Sequence, residues 1–307
     1  MKKIINLLLL LILTQTVSCQ EKNINTMNNT YNREKDYVIF ENQPKTGYFI
    51  QVNSQNCHYK ILLDDFLVYS YNDTYPAYSV RPMLNSKILK SGEQKLSIIV
   101  TPQNGERLTR NSDLTIRLLR YSDMSNKADF GGVNTILEWE MPPIDDKNPL
   151  PFVKFDTTFK ADVPYEMNTI NYAIDLTKTN KDVLLKEVVE KYKEYHQYIS
   201  NDYDKYNQEA KQKILSSVVP NYKTKTELEN ILAENKKDFE NDKYNSTLQP
   251  IENYKMVLYG NGRVAALERI KDGGRIIWCK DPKTGEEILS LPLFIYKDNR
   301  DKQWHIW

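Results

Sequence analysis

The chain has 307 residues, and 42 Lys and Arg side chains nearly balance 41 Asp and Glu side chains, for a net charge of +1. Such mixed charge argues against nucleic-acid binding, which requires a basic surface. With 21 tyrosines and 10 glycines, the chain is not a low-complexity or glycine-repeat protein, and it is long enough for two domains.

The N-terminal segment has the layout of a secretory signal peptide. Two lysines at positions 2 and 3 precede an apolar run over residues 4–13, and small or polar residues lead from there to Cys19. The run is shorter than the roughly 20 residues that a membrane-spanning helix needs. The segment therefore predicts export of the protein from the cytoplasm.

Residues 16–19, Thr-Val-Ser-Cys, resemble the lipobox of bacterial lipoproteins. The resemblance implies that residues 1–18 are removed and that Cys19 is lipidated, which anchors the chain in the membrane of a cell envelope. No Asp follows Cys19, so we expect the outer membrane, with the protein facing the periplasm or the cell surface. Residues 19–36 are polar and predict a lipidated, flexible tether. A signal peptide cut elsewhere and an uncleaved membrane anchor are the alternatives.

The other two cysteines are Cys57 and Cys279. In an oxidising envelope they are a candidate disulfide, although they fall in different predicted domains. Two buried free thiols are the alternative. The sequence contains no CxxC motif and no Cys/His cluster, so it predicts no metal site and no cofactor.

Residues 37–141 predict an all-β sandwich domain. Short segments rich in β-branched and aromatic residues are separated by turn signals, without intervening helices. The stretch ILKSGEQKLSIIVTP, residues 88–102, resembles a strand-turn-strand of Ig-like and jelly-roll accessory domains. In this strand Leu96, Ile98 and Val100 are expected on one face, opposite Lys95, Ser97 and Ile99.

Two features of this domain are candidate sites. Tyr71, Tyr75 and Tyr78 surround the loop NDTYPAY and are expected to form an exposed aromatic platform for a partner or a sugar. The alternative is that Tyr71 and Tyr78 pack with Tyr69 at the end of the sandwich. Asp64 and its neighbour Asp65 fall short of a calcium loop and predict a solvated turn or strand end.

Residues 142–151 hold four prolines and predict a connector. The strand-like residues 152–165 are placed at the start of a second domain, 152–307, although the pattern does not decide which domain they pair with. Helices follow, with a cap at Thr179 or Asn180 and a break near residues 200–202. A capping box from Thr226 to Glu229 predicts a further helix ending near Phe239.

The last part of the chain predicts an antiparallel β-meander. Gly260-Asn261-Gly262 and Asp272-Gly273-Gly274 have the chemistry of hairpin turns. Helices followed by a curled sheet that ends in a tryptophan strand resemble the NTF2-like cone, so the second domain is predicted to be α+β. The resemblance implies a pocket between sheet and helices, for which the candidate lining residues are Trp278, Tyr296 and Trp304.

No catalytic motif is present. The histidines, His58, His196 and His305, belong to no triad signature, and nucleophile-elbow, zinc-protease and phosphate-loop motifs are absent. We therefore expect a lipid-anchored, non-catalytic envelope protein that binds a macromolecular partner. An immunity-type inhibitor of a periplasmic toxin is one specific form. The alternatives are a glycan-binding or envelope-assembly lipoprotein, and an uncharacterised hydrolase that uses a carboxylate such as Glu138 or Glu140.

Overall fold

The computed structural model describes residues 44–126, 128–129, 131–167, 169–241 and 247–307. The predicted signal peptide, Cys19 and the polar tether lie outside these residues. The described part of the chain is β-rich, with fourteen strands that pair antiparallel and three α-helices. None of these helices combines the length and the apolar character that a membrane span requires.

The first eight strands form two four-stranded sheets, with the orders β4-β1-β6-β7 and β3-β2-β5-β8. Their bounds are β1 (Gly47–Gln55), β2 (Cys57–Leu63), β3 (Phe66–Tyr71), β4 (Ala77–Val80), β5 (Gly92–Pro102), β6 (Asp113–Tyr121), β7 (Val133–Glu140) and β8 (Val153–Ala161).

Both sheets contribute to one hydrophobic cluster through the alternation of side chains along each strand. In β5, Leu96, Ile98 and Val100 are fully buried while Lys95 is exposed, which confirms the expected alternation, although Ser97 is also buried. Each such aliphatic side chain contributes about 1.5–3 kcal/mol by leaving water.

Strand β8 belongs to the sheet of β5. The two strands pair antiparallel from Gly92 opposite Ala161 to Val100 opposite Val153. Val163 and Tyr165, which follow β8, pack into the same cluster as the first two sheets. The sequence pattern did not decide where these residues pair, and in the structure β8 pairs with the first sheets.

The helices are α1 (Lys181–Asn201), α2 (Tyr203–Val218) and α3 (Lys225–Glu240). The Asn180 side chain caps α1 and the helical stretch breaks after Asn201, as expected. The capping box of α3 lies two residues earlier than predicted. The Thr224 hydroxyl accepts from Glu227 N–H at 3.2 Å, and the Glu227 carboxylate accepts from Thr224 N–H at 2.8 Å.

The remaining strands form a four-stranded sheet of order β14-β13-β10-β9 and a two-stranded sheet, β11-β12. Their bounds are β9 (Tyr254–Tyr259), β10 (Val264–Arg269), β11 (Trp278–Lys280), β12 (Glu287–Ser290), β13 (Ile295–Lys297) and β14 (Trp304–Ile306). Apolar side chains of α1 and α2 pack against this sheet in a second hydrophobic cluster. Gly260, Asn261 and Gly262 all have positive φ in the β9–β10 turn, as the hairpin chemistry predicted.

The turn between β2 and β3 contacts the turn between β9 and β10. Asp65 carbonyl accepts from Gly260 N–H at 3.0 Å, and its carboxylate accepts from Asn261 N–H at 2.8 Å. Asp64 and Asp65 thus form a turn, and Asp65 joins the first sheets to the last. Beside this contact the rings of Phe66 and Trp307 lie 4.4 Å apart.

Candidate functional site

A cleft of about 740 Å³ lies where the first sheets meet the last. One side is formed by β3 and the loop that follows it, residues 67–75, together with Tyr78. The other side is formed by the end of β10, the hairpin over residues 272–277 and the connector between β12 and β13. Such a volume is in the range of small-molecule sites, so this cleft is the candidate functional site.

All three tyrosines of the predicted platform line the cleft, but they differ in exposure. Tyr75 is 65% exposed, whereas Tyr71 is buried. The rings of Tyr71 and Tyr78 stack at 4.5 Å, and Tyr71 also stacks on Tyr59 at 5.6 Å. Tyr71 and Tyr78 therefore pack into the core, as the alternative interpretation expected, and Tyr75 is the one of the three with the exposure that a platform requires.

The backbone around Tyr75 is held by side chains of β2, β3 and the residue that follows β5. Gln103 Nε2 donates to Tyr75 carbonyl at 2.6 Å and to Asp73 carbonyl at 3.0 Å. The Tyr71 hydroxyl donates to the same Tyr75 carbonyl at 2.8 Å, and His58 Nε2 lies 2.9 Å from Asp73 carbonyl oxygen. These four contacts hold the loop backbone in one conformation, which is the kind of preorganisation that lowers the entropy cost of ligand binding in general.

Glu268 is the most buried acidic group of the cleft, with a side chain that is 6% exposed. Lys60 Nζ lies 3.1 Å from its carboxylate and Lys255 Nζ lies 3.9 Å away. The Tyr259 hydroxyl also donates to it. Burial and the neighbouring Glu268 charge together raise the pKa of Tyr259, which keeps this phenol protonated as a donor.

On the opposite side of the cleft, Arg269 contacts three side chains. Its Nε donates to Asp272 at 2.9 Å, its Nη1 donates to Glu287, and its guanidinium lies 4.8 Å from the centroid of Trp278. Burial alone would raise the pKa of Asp272, but the bonds from Arg269 and from Gly274 N–H outweigh it and lower this pKa. Asp272 and Glu287 therefore serve as partners of Arg269.

Tyr192 of α1 connects the helix to the cleft. Its hydroxyl accepts from Leu267 N–H at 3.0 Å and donates to Leu293 carbonyl. Burial raises the pKa of Tyr192, so the group stays neutral and bridges β10 to the connector before β13.

The other predicted ligand residues lie elsewhere. Trp278 is half-buried beneath Arg269, Tyr296 is buried beside His305 with ring centroids 5.5 Å apart, and Trp304 Nε1 donates to Glu187 at 3.1 Å. None of these three aromatic residues lines the cleft. Their contact with a partner stays a prediction.

The candidate carboxylates of a hydrolase are also outside the cleft. Glu138 and Glu140 lie on β7, where both are exposed, and Glu138 pairs with Arg117 at 3.0 Å. His196 Nε2 lies 2.8 Å from Gln249 carbonyl oxygen, and His305 Nε2 lies 2.9 Å from Asp301.

Cys57 and Cys279 are both buried free thiols. Cys57 belongs to the cluster of the first two sheets, whereas Cys279 lies on β11, whose neighbours are β12 and the bridge to Leu248. Within the described ranges, no group of three or more His, Cys, Asp or Glu side chains is arranged to hold a metal ion.

Sequence reasoning did not find Glu268 or Arg269 as residues of the site. The hairpin signal Asp272-Gly273-Gly274 marked the turn that carries Arg269 and Asp272, but nothing local indicated that this turn faces the Tyr75 loop. A comparison of the chain with protein families, with curated proteins and with solved structures found no match. The function is therefore argued from the geometry.

Proposed function

We propose that this chain is a lipid-anchored, non-catalytic protein of the cell envelope that binds a protein partner in the cleft beside Tyr75. The observation that carries the proposal is the combination of a 65% exposed tyrosine with a loop that neighbouring side chains hold in place. Exposed aromatic side chains on ordered surfaces supply much of the binding energy of protein interfaces. An inhibitor of a periplasmic toxin, of the immunity type, is the specific form that we propose.

The pairing of the charged groups supports a binding role over a catalytic one. Glu268 and Asp272 already accept from Lys60 and Arg269. A general base or nucleophile needs a carboxylate that is free to reach the substrate, and these carboxylates are engaged within the protein. Their role in the proposal is to shape a polar surface for a partner.

The anchor and the finer fold are part of the same proposal. Lipidation of Cys19 would place the body at the outer membrane, facing the periplasm or the cell surface. We further propose that the first two sheets are a sandwich of the Ig-like or jelly-roll-like kind, and that the helices and last sheets form an α+β unit of the NTF2-like kind. The shared cluster of the first two sheets supports the first assignment, and the order of the elements supports the second.

The test is capture of the tagged full chain from living cells after brief crosslinking, followed by mass spectrometry. We expect a stoichiometric protein partner that is retained by the parent chain and lost on Tyr75→Ala. Phe152→Ala is the matched control, because Phe152 is 54% exposed and does not line the cleft. Equal capture by both variants would contradict a role for Tyr75.

Glycan binding is the second candidate, favoured by the aromatic and polar lining of the cleft. It predicts that no protein is captured and that polysaccharide changes the tyrosine and tryptophan emission of the parent chain but not that of Tyr75→Ala. The anchor is tested separately. Cys19→Ser should abolish labelling by a fatty-acid probe and release the body into the soluble fraction, and membrane retention without label would refute lipidation.

A further inference from the structure

Three cationic side chains from distant parts of the chain converge on the last residue of β12 and the connector to β13, residues 290–294. Arg275 Nη1 donates to Ser290 carbonyl at 3.3 Å, and Lys213 Nζ donates to Pro292 carbonyl. Lys87 Nζ lies 5.4 Å from the Phe294 ring centroid and 4.0 Å from that of Trp307. We call Lys87, Lys213 and Arg275 the cation cluster.

The cation cluster differs in its partners from half-buried cations elsewhere in the structure. Lys60, Arg269 and Lys297 each pair with a carboxylate. Among the described side chains no ion pair joins a carboxylate to a member of the cation cluster. Burial lowers the pKa of Arg275, and electrostatic attraction to Glu287 opposes this shift. The Glu287 carboxylate, however, already accepts a hydrogen bond from Arg269.

Bringing these three cations together without a paired carboxylate lowers the stability of the folded protein. Burial lowers the pKa of Lys87 to about 7, and repulsion from Lys213 and Arg275 adds to the effect. Burial lowers the pKa of Lys213 to about 8, again with a contribution from Arg275. The three groups contact one short stretch of chain, and desolvated like charges there either lose protons or require a counter-charge.

We propose that the cation cluster binds a phosphate group. A phosphate dianion carries the charge that three cations require, and its tetrahedral oxygens accept donors from several directions, whereas a carboxylate has two oxygens in one plane. Arginine supplies a planar fork of donors and lysine a point charge, and this combination is common in phosphate sites.

Arg275 makes the cation cluster accessible to a phosphate group from the cleft. Arg275 is exposed, and it lines one end of the cleft together with Ser290, Pro292 and Phe294. The half-buried Lys87 and Lys213 contact two of these lining residues, since Lys87 lies over the Phe294 ring and Lys213 donates to Pro292 carbonyl. The inference goes beyond partner binding at Tyr75 and does not depend on it.

Titration calorimetry of the full chain in detergent, at constant ionic strength, tests the site with inorganic phosphate as the probe. We expect one saturable site. Loss of one charge-assisted hydrogen bond by Lys87→Met, Lys213→Met or Arg275→Gln should weaken binding about ten- to a hundredfold. Because Arg275 is exposed, Arg275→Gln should fold even where a lysine variant does not.

Two controls keep the test specific. Lys191 is also half-buried and stacked on a ring, at 4.7 Å from the Tyr195 centroid, but it pairs with Glu194, so Lys191→Met should leave phosphate affinity within about twofold. Tyr75→Ala should also leave it unchanged, which separates this site from the proposed partner site. No saturable binding, binding by all three cluster variants as tight as that of the parent chain, or acetate binding as tight as phosphate would overturn the proposal.

The pH dependence and the source of the phosphate group are measured with two further probes. Sulfate keeps its charge from about pH 6 to 9, so its affinity should fall over this range as Lys87 and Lys213 lose their protons; an affinity that does not change with pH would overturn the role of the lysines. Glycerol 3-phosphate binding at least about tenfold tighter than inorganic phosphate supports a phosphoryl group on a lipid or sugar. Equal or weaker binding supports free phosphate.

Discussion

Lys60 of β2 and Glu268 of β10 form an ion pair of 3.1 Å between the first sheets and the last. The carboxylate is nearly buried, with 6% of its side chain exposed, while 28% of the Lys60 side chain is exposed. The pair lies next to the cleft, since Glu268 is one of its lining residues. It therefore contributes both to the contact between the two parts of the molecule and to the surface of the cleft.

Lys60→Met should lower the free energy of unfolding by about 2–3 kcal/mol, because it leaves a buried carboxylate with a weaker partner, Lys255. Urea unfolding of the full chain measures this. Arg117→Met, which breaks a pair whose side chains are both 59% exposed, is the matched control and should cost less than about 1 kcal/mol. Equal losses from both variants would show that burial of Glu268 does not matter.

Gly260 lies in the turn that contacts Asp65, with φ of 61°. A Cβ there would lie 2.2 Å from Phe66 Cε1, so Gly260→Ala combines backbone strain with a clash and should cost about 3 kcal/mol. Gly105 has φ of 74° and open space around it, so Gly105→Ala should cost about 1 kcal/mol from strain alone.

Thermal and urea unfolding of these glycine variants provide the measurement. Adding Phe66→Leu to Gly260→Ala should recover part of the loss, because the smaller side chain removes the clashing ring. If Gly260→Ala and Gly105→Ala lose the same stability, the turn-to-turn contact is not tightly packed.

The local features of the fold could be predicted from the sequence. Alternation in β5 identified Leu96, Ile98 and Val100 as core residues, and the glycines at 260 and 262 identified a hairpin, because both signals depend on neighbouring residues alone. The cap of α1 at Asn180 is of the same kind. The capping box of α3 shows the limit of such local patterns. Thr224 and Thr226 both precede a glutamate by three residues, and the sequence does not decide which of them caps the helix.

The site could not be predicted because it joins segments far apart in the chain. The loop around Tyr75 meets a hairpin that begins near Arg269, and no local pattern indicates which turns face each other. Strand β8 was recognisable as a strand, but its pairing with β5 is a tertiary choice. Lys87, Lys213 and Arg275 each look like an ordinary solvated charge in the sequence, and only the fold brings them to one connector.

Cys57 and Cys279 should remain reduced and react slowly in the folded protein. Burial raises the pKa of Cys57 to about 12 and also raises that of Cys279, so the thiolate fraction of Cys57 at pH 8 is roughly a thousandfold below that of an ordinary thiol. Alkylation without reductant, followed by peptide mass spectrometry, should modify both residues only after unfolding. A peptide that joins Cys57 to Cys279 would contradict this prediction.

Lys87 should make the protein more stable as the pH rises above neutrality. Its pKa is about 7 in the folded protein against an ordinary 10.5, so above pH 7 the unfolded chain binds a proton that the folded chain lacks, and the free energy of unfolding increases with pH. Lys87→Met should remove this contribution to the pH dependence of the free energy of unfolding, which amounts to as much as ~1 kcal/mol per pH unit. The same substitution should stabilise the protein at pH 7 by about 1–2 kcal/mol, because it removes a desolvated charge.

The measurement is urea unfolding of the parent and Lys87→Met from about pH 7 to 9, in buffers free of phosphate and sulfate so that no anion offsets the cation cluster. The buried thiols of Cys57 and Cys279 have raised pKa values and act in the opposite direction toward the upper end of this range, but they are present in both proteins and cancel in the difference. Lys191→Met should keep the slope of the parent. If Lys87→Met keeps that slope as well, the ammonium group of Lys87 is solvated in the folded protein, and the cation cluster holds no desolvated charge there for a phosphate group to offset.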